Sequence, residues 1–125
     1  MNRSPRRNED VTDRRSREDE APRLRAVVPR LLTLRLDLIE SRRGGDGESS
    51  HIKRVVVEHA PALFLIPCGD SRCKAGGYDL TPLMMAKLYR SEESFEVNDT
   101  CGGQTGSAEC GRVLKCTATA TYSPP

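Results

Sequence analysis

The chain has 125 residues, 36% apolar and 30% charged, with five aromatic side chains and no Trp, which allows one thin-cored domain and a tail. Its formal charge of +2 lies in residues 1–25, where eight Arg meet six acidic residues; the remaining hundred residues carry twelve basic and twelve acidic side chains. A balanced body of this kind argues against a strongly basic nucleic-acid binder. No apolar stretch is long enough to cross a bilayer, and residues 1–23 hold no signal-like apolar region, so the expectation is a cytoplasmic protein without membrane contact.

Residues 1–24 are dense in both charges and poor in large apolar residues. They cannot bury enough surface to offset ordering entropy, so a disordered, solubilising tail is expected, followed by a single domain over 25–125. From Ala26 the pattern changes. Leu32, Leu34, Leu36 and Leu38 alternate with Thr33, Arg35, Asp37 and Ile39, the period of a half-buried strand. The glycine-rich segment SRRGGDGESS predicts a hairpin loop, and HIKRVVVEHA a return strand. Past Pro61, the run Ala62–Ile66 predicts a further strand.

Thr81 followed by Pro82 marks a helix start, with Thr81 as the capping hydroxyl and the helix running to about Glu92. Leu80, Met84 and Leu88, with Leu83 beside them, form its apolar stripe, and the Met84–Met85 pair reads as core filler. Residues 94–98 predict a short strand. In the segment RVLKCTATATY, Leu114, Cys116, Ala118, Ala120 and Tyr122 share one face of a last strand. The sum is a small α+β domain with a mostly antiparallel sheet and one helix.

All five cysteines fall between 68 and 116. Cys68 and Cys73 close the loop CGDSRC; Cys101 and Cys110 close CGGQTGSAEC. Each loop follows a strand-like run. Paired cysteines in a reducing compartment indicate metal or redox chemistry before disulfides, and an odd count of five points the same way. A tetrahedral metal takes two ligands from each of two loops, and glycine follows Cys68, Cys101 and Cys110, where it permits a sharp turn that aims N–H groups at a thiolate. The candidate ligands are therefore Cys68, Cys73, Cys101 and Cys110, with zinc as the expected ion and iron also compatible with four thiolates. Over Leu65–Leu114 the arrangement resembles a zinc ribbon of atypical spacing, four residues between the first pair and eight between the second. Cys116 falls on an apolar strand face and reads as a buried free thiol. His51 and His59 are the competing ligands. Buried or redox-active thiols without metal are the other reading of the cluster.

Catalytic patterns are missing: there is no H-x-E with P-C-x-x-C, no H-E-x-x-H, no C-x-x-C, and GGQTGS lacks the lysine of a phosphate loop. A non-enzymatic module that binds a protein partner is expected. The alternative is a nucleic-acid binder using Arg72, Lys74, Arg112, Lys115 and the Arg-rich tail, against which stand Asp70, Asp99 and Glu109 and the shortage of stacking aromatics.

Overall fold

The structure, a computed structural model, describes residues 11–42 and 47–125. In chain order its elements are helix α1 (Val11–Glu20), helix α2 (Leu24–Val27), strands β1 (Leu31–Ser41), β2 (Ser49–Val55), β3 (Leu65–Ile66) and β4 (Tyr78–Asp79), helix α3 (Thr81–Tyr89), and strands β5 (Ser94–Thr100), β6 (Gln104–Thr105), β7 (Ala108–Glu109) and β8 (Val113–Tyr122). The fold is mostly antiparallel β with a few short helices.

The main sheet has the order β2-β1-β8-β5, every pair antiparallel. Its centre is the β1–β8 pair, where Leu34 stands opposite Ala120, Leu36 opposite Ala118 and Leu38 opposite Cys116. Period-two alternation puts those side chains on one face, and they are buried there with Leu114, Phe95 and Val97. Leu80, Met84, Met85 and Leu88 of the α3 segment join them in one core cluster with Leu24, Val57 and Phe64.

Leu32 departs from the expected row. The register between β1 and β8 slips between Leu31 and Thr33, so Leu31 is fully buried and Leu32 is 46% exposed. A bulge inserts one residue and turns its side chain to the other face. Alternation read from sequence has no means of locating that slip.

The helix also starts differently. Thr81 is its first residue, and its hydroxyl accepts the N–H of Phe64 at 2.8 Å, while the Asp79 carboxylate takes the Thr81 N–H at 3.0 Å. The cap position itself, Leu80, has no capping side chain; Asp79 holds the first helical N–H from one residue further back, and Thr81 ties the apolar segment before the first cysteine loop to the helix. That segment is strand only at Leu65–Ile66, not from Ala62. The helix ends at Tyr89, short of Glu92, because Ser91 adopts φ 56 and the N–H groups of Ser91 and Glu92 bond back to Leu88 O (3.0 Å) and Lys87 O (3.2 Å). This is the paired return bond of a Schellman end. Leu83 lies outside the buried stripe, and Met85 takes its place.

Toward the N-terminus, residues 11–20 form helix α1, and Arg17 reaches Asp79 at 3.5 Å. Leu24, assigned by composition to the tail, is fully buried, and backbone bonds Leu24 N–H to Ala60 O (2.9 Å) and Ala62 N–H to Pro22 O (2.8 Å) fasten its segment to the body. Of the tail expected over residues 1–24, residues 1–10 lie outside the described residues. Among those described, no helix is long and apolar enough to cross a membrane.

Candidate metal centre

Two small hairpins carry the cysteines. β3 and β4 pair with Leu65 opposite Asp79 and Ile66 opposite Tyr78, so Cys68 and Cys73 sit at the tip of a hairpin. Asp70 shapes that tip: its carboxylate accepts the Arg72 N–H at 2.9 Å, and its carbonyl accepts the Cys73 N–H at 3.0 Å. The second loop leaves β5 at Thr100. Its eight intervening residues contain the β6–β7 hairpin, with Thr105 opposite Ala108 and Gly106 at φ 65 in the turn. The unusual spacing between Cys101 and Cys110 is thus the length of a complete miniature hairpin. Gly111, also at φ 65, then swings the chain from Cys110 into β8.

The hairpins are stitched together by backbone. Lys74 and Gln104 exchange both N–H···O bonds at 2.8 Å, Cys110 N–H donates to Gly103 O at 2.9 Å, and Cys101 N–H donates to Arg112 O at 2.8 Å. These bonds bring four sulfurs together. Cys68 Sγ lies 3.7 Å from Cys110 Sγ, Cys73 Sγ lies 3.6 Å from Cys101 Sγ, and all four fall within 4.8 Å of one another. A tetrahedral ion with metal–sulfur bonds of about 2.3 Å requires sulfur–sulfur edges of roughly 3.8 Å. Disulfides are excluded by the same distances, since a bonded pair stands at about 2.05 Å. Cys68, Cys73 and Cys101 are buried and Cys110 is partly exposed. Four cysteines are positioned to bind a metal ion.

No family model, curated protein or solved structure matches the chain. The chemistry of the site is therefore read from its own atoms.

Without an ion, the cluster favours neutral thiols at two of its positions. Burial, ahead of every other cause, drives the Cys68 thiol far above its ordinary range and pushes Cys73 up to about 12. Cys101 moves the other way: burial opposes its ionisation, but the N–H groups of Gly77 and Gly103 together with hydrogen bonds from Cys73 and Cys110 outweigh it. Gly77 N lies 3.3 Å from Cys101 Sγ, and Asp70 N lies 3.5 Å from Cys68 Sγ. Neutral thiols crowded in this way have no strong mutual attraction, whereas a divalent cation would deprotonate and hold them.

The amides aimed at sulfur come from Asp70, Gly77 and Gly103, and not from the glycines directly after each cysteine. Gly69 gives its N–H to Glu40 at 2.9 Å instead. Close approach is what demands glycine here. A β-carbon on Gly76 would stand 2.5 Å from Cys101 Sγ, and one on Gly103 would stand 2.6 Å from Lys74 O.

The remaining candidates lie elsewhere. Cys116 is fully buried on β8, its thiol raised to about 11 by burial, and is outside the cluster. His51 and His59 are exposed and outside it too. Arg72 pairs with Asp70 at 3.2 Å, and Arg112 Nε lies 3.3 Å from a Glu40 oxygen, an ion pair without hydrogen-bond alignment. Lys74 and Lys115 are exposed. Glu40 is the residue that pattern reading passed over. It continues the buried phase of Leu34, Leu36 and Leu38, and a carboxylate in that phase was the available signal.

Proposed function

We propose that Cys68, Cys73, Cys101 and Cys110 hold one structural zinc ion, and that the domain is a non-enzymatic protein-interaction module acting in a reducing, cytoplasmic setting. The sulfur geometry carries the metal reading: two pairs at 3.6 and 3.7 Å match the edges of a tetrathiolate site. Four protein thiolates would fill every position of a tetrahedral ion, leaving none for a substrate or a reactive water. That supports a structural role over a catalytic one.

For the interaction role, the support comes from β2. It borders the sheet, pairs among the described residues with β1 alone, and has Ile52 and the adjoining Val56 more than half exposed. An exposed strand border of this kind is a surface that a partner covers. Two of the four cations proposed for phosphate contact, Arg72 and Arg112, are instead engaged by Asp70 and Glu40. This favours the protein partner over nucleic acid.

Elemental analysis of the purified chain tests the metal. One zinc per chain is expected, lost in Cys68→Ser and kept in Cys116→Ser. A folded, metal-free wild type would overturn it. Binding of mixed-sequence RNA or DNA that falls steeply with salt and falls again in Arg72→Glu would overturn the protein-partner reading.

A further inference from the structure

Glu40 lies near the end of β1, opposite Leu114 of β8, and is 8% exposed; among the described residues it is the sole buried charged side chain. Burying a carboxylate is costly unless donors converge on it. Two do, and a counter-ion joins them: Gly69 N–H donates at 2.9 Å, Tyr78 Oη–H donates at 2.7 Å, and Arg112 stands as the counter-ion at 3.3 Å. None of the three comes from Glu40's own strand or its β2 neighbour.

Each of these three groups sits beside the sulfur cluster. Gly69 follows Cys68 directly. Tyr78 follows Gly77, the residue whose N–H points at Cys101 Sγ. Arg112 lies two residues past Cys110, and its carbonyl accepts the Cys101 N–H. One carboxylate on a rigid strand therefore reaches the segments that carry Cys68 and Cys110, and Cys101 through the backbone of Gly77 and Arg112 beside its partners. The fit is close at Gly69, where any β-carbon would collide with Glu40 Oε1.

We infer that Glu40 is the positioning residue of the metal centre: through Gly69, Tyr78 and Arg112 it holds the two cysteine hairpins in ligand geometry. The inference rests on reading the four cysteines as a metal site. Glu40 is not itself a ligand, because only the four cysteines make up the cluster. Its charge is matched by Arg112, so it organises the thiolates without adding an unbalanced anion beside them. A hydrocarbon side chain at position 40 would suit the sheet equally well and would leave the hairpins without this anchor.

The experiment uses the full chain, with zinc competed against a chelator of known affinity and cobalt(II) as a spectroscopic probe of the tetrathiolate. Glu40→Ala is expected to weaken metal binding by about 10–100-fold and to shift or broaden the cobalt ligand-field bands. Tyr78→Phe, which removes a single hydroxyl, is expected to weaken it by several-fold. Glu40→Gln, which keeps shape and one acceptor oxygen, should fall between Glu40→Ala and wild type. A Glu40 that only fills the core would lower the unfolding temperature, and the apparent affinity with it, but would leave the cobalt ligand-field bands of the loaded protein unmoved. That result, with wild type still binding one ion, overturns the inference and leaves the metal reading intact. A wild type that binds no ion overturns both. Should Glu40→Ala fail to fold even with metal, Tyr78→Phe and Glu40→Gln decide: unchanged affinity in both refutes the positioning role.

Discussion

Gly103 packs so tightly on the Cys73 sulfur that a β-carbon at position 103 would stand 2.5 Å from it. The next glycine along, Gly102, has nothing within 4 Å of the same imagined atom. The two neighbours make a matched test. Gly103→Ala must displace Cys73 or the Lys74 carbonyl, so it is expected to abolish metal binding or cost upwards of about 3 kcal/mol. Gly102→Ala should stay within about 0.5 kcal/mol. Chemical denaturation and metal content, measured on both variants, check this directly.

Metal removal should unfold the site and not merely loosen it. A structural zinc contributes on the order of 10 kcal/mol to folding, comparable with the whole stability of a small domain. Chelation is therefore expected to remove the cooperative thermal transition of the wild type, and added zinc to restore it. Near-ultraviolet circular dichroism during a chelator titration would follow the loss.

Cys116 predicts a pH effect of its own. Burial raises its thiol to about 11, above the unfolded value near 9, so the folded state favours the protonated form. The corresponding stability is fully present below pH 9 and is lost as the pH climbs toward 11. Cys116→Ala lacks this term, and its stability should fall less than that of the wild type over the same interval. A thiol reagent at pH 8 should leave Cys116 unmodified until denaturant is added.

The bulge in β1 takes Leu32 out of the buried row that Leu36 keeps. Leu36 is buried at the centre of the sheet, and Leu36→Ala is expected to cost about 2–5 kcal/mol. Leu32 faces outward, and Leu32→Lys should change stability by less than about 0.5 kcal/mol. Urea midpoints for the two variants distinguish them at once. A large loss in Leu32→Lys would place Leu32 back in the core row.

How far the chain could be read in advance follows from the range of the interactions involved. The alternating rows of β1 and β8 and the Leu80–Met84–Leu88 stripe are local patterns, and they were legible. The grouping of Cys68, Cys73, Cys101 and Cys110 was legible because metal chemistry calls for soft ligands in pairs. The importance of Gly76 and Gly103 was hidden, since it arises only when hairpins 27 residues apart press together around sulfur. Thr81 was misread for a similar reason: a capping motif says where a hydroxyl sits in sequence, and Phe64, from another segment, claimed it. Glu40 lay in plain view as a charge in an apolar phase, but its partners at 69, 78 and 112 belong to three later segments.

The pairing at the heart of the sheet has a consequence for the order of assembly. Thr33 of β1 meets Thr121 of β8 across 88 residues, and both cysteine hairpins lie in between. A nascent chain emerging from the ribosome presents the leucine row of β1 long before β8 exists to cover it, with only the β2 hairpin for company. An ion captured by Cys68, Cys73, Cys101 and Cys110 would tie off much of the intervening chain just as Val113 begins to appear. The span left to close would then be short, and β8 would be delivered beside β1 within a few residues of the last ligand.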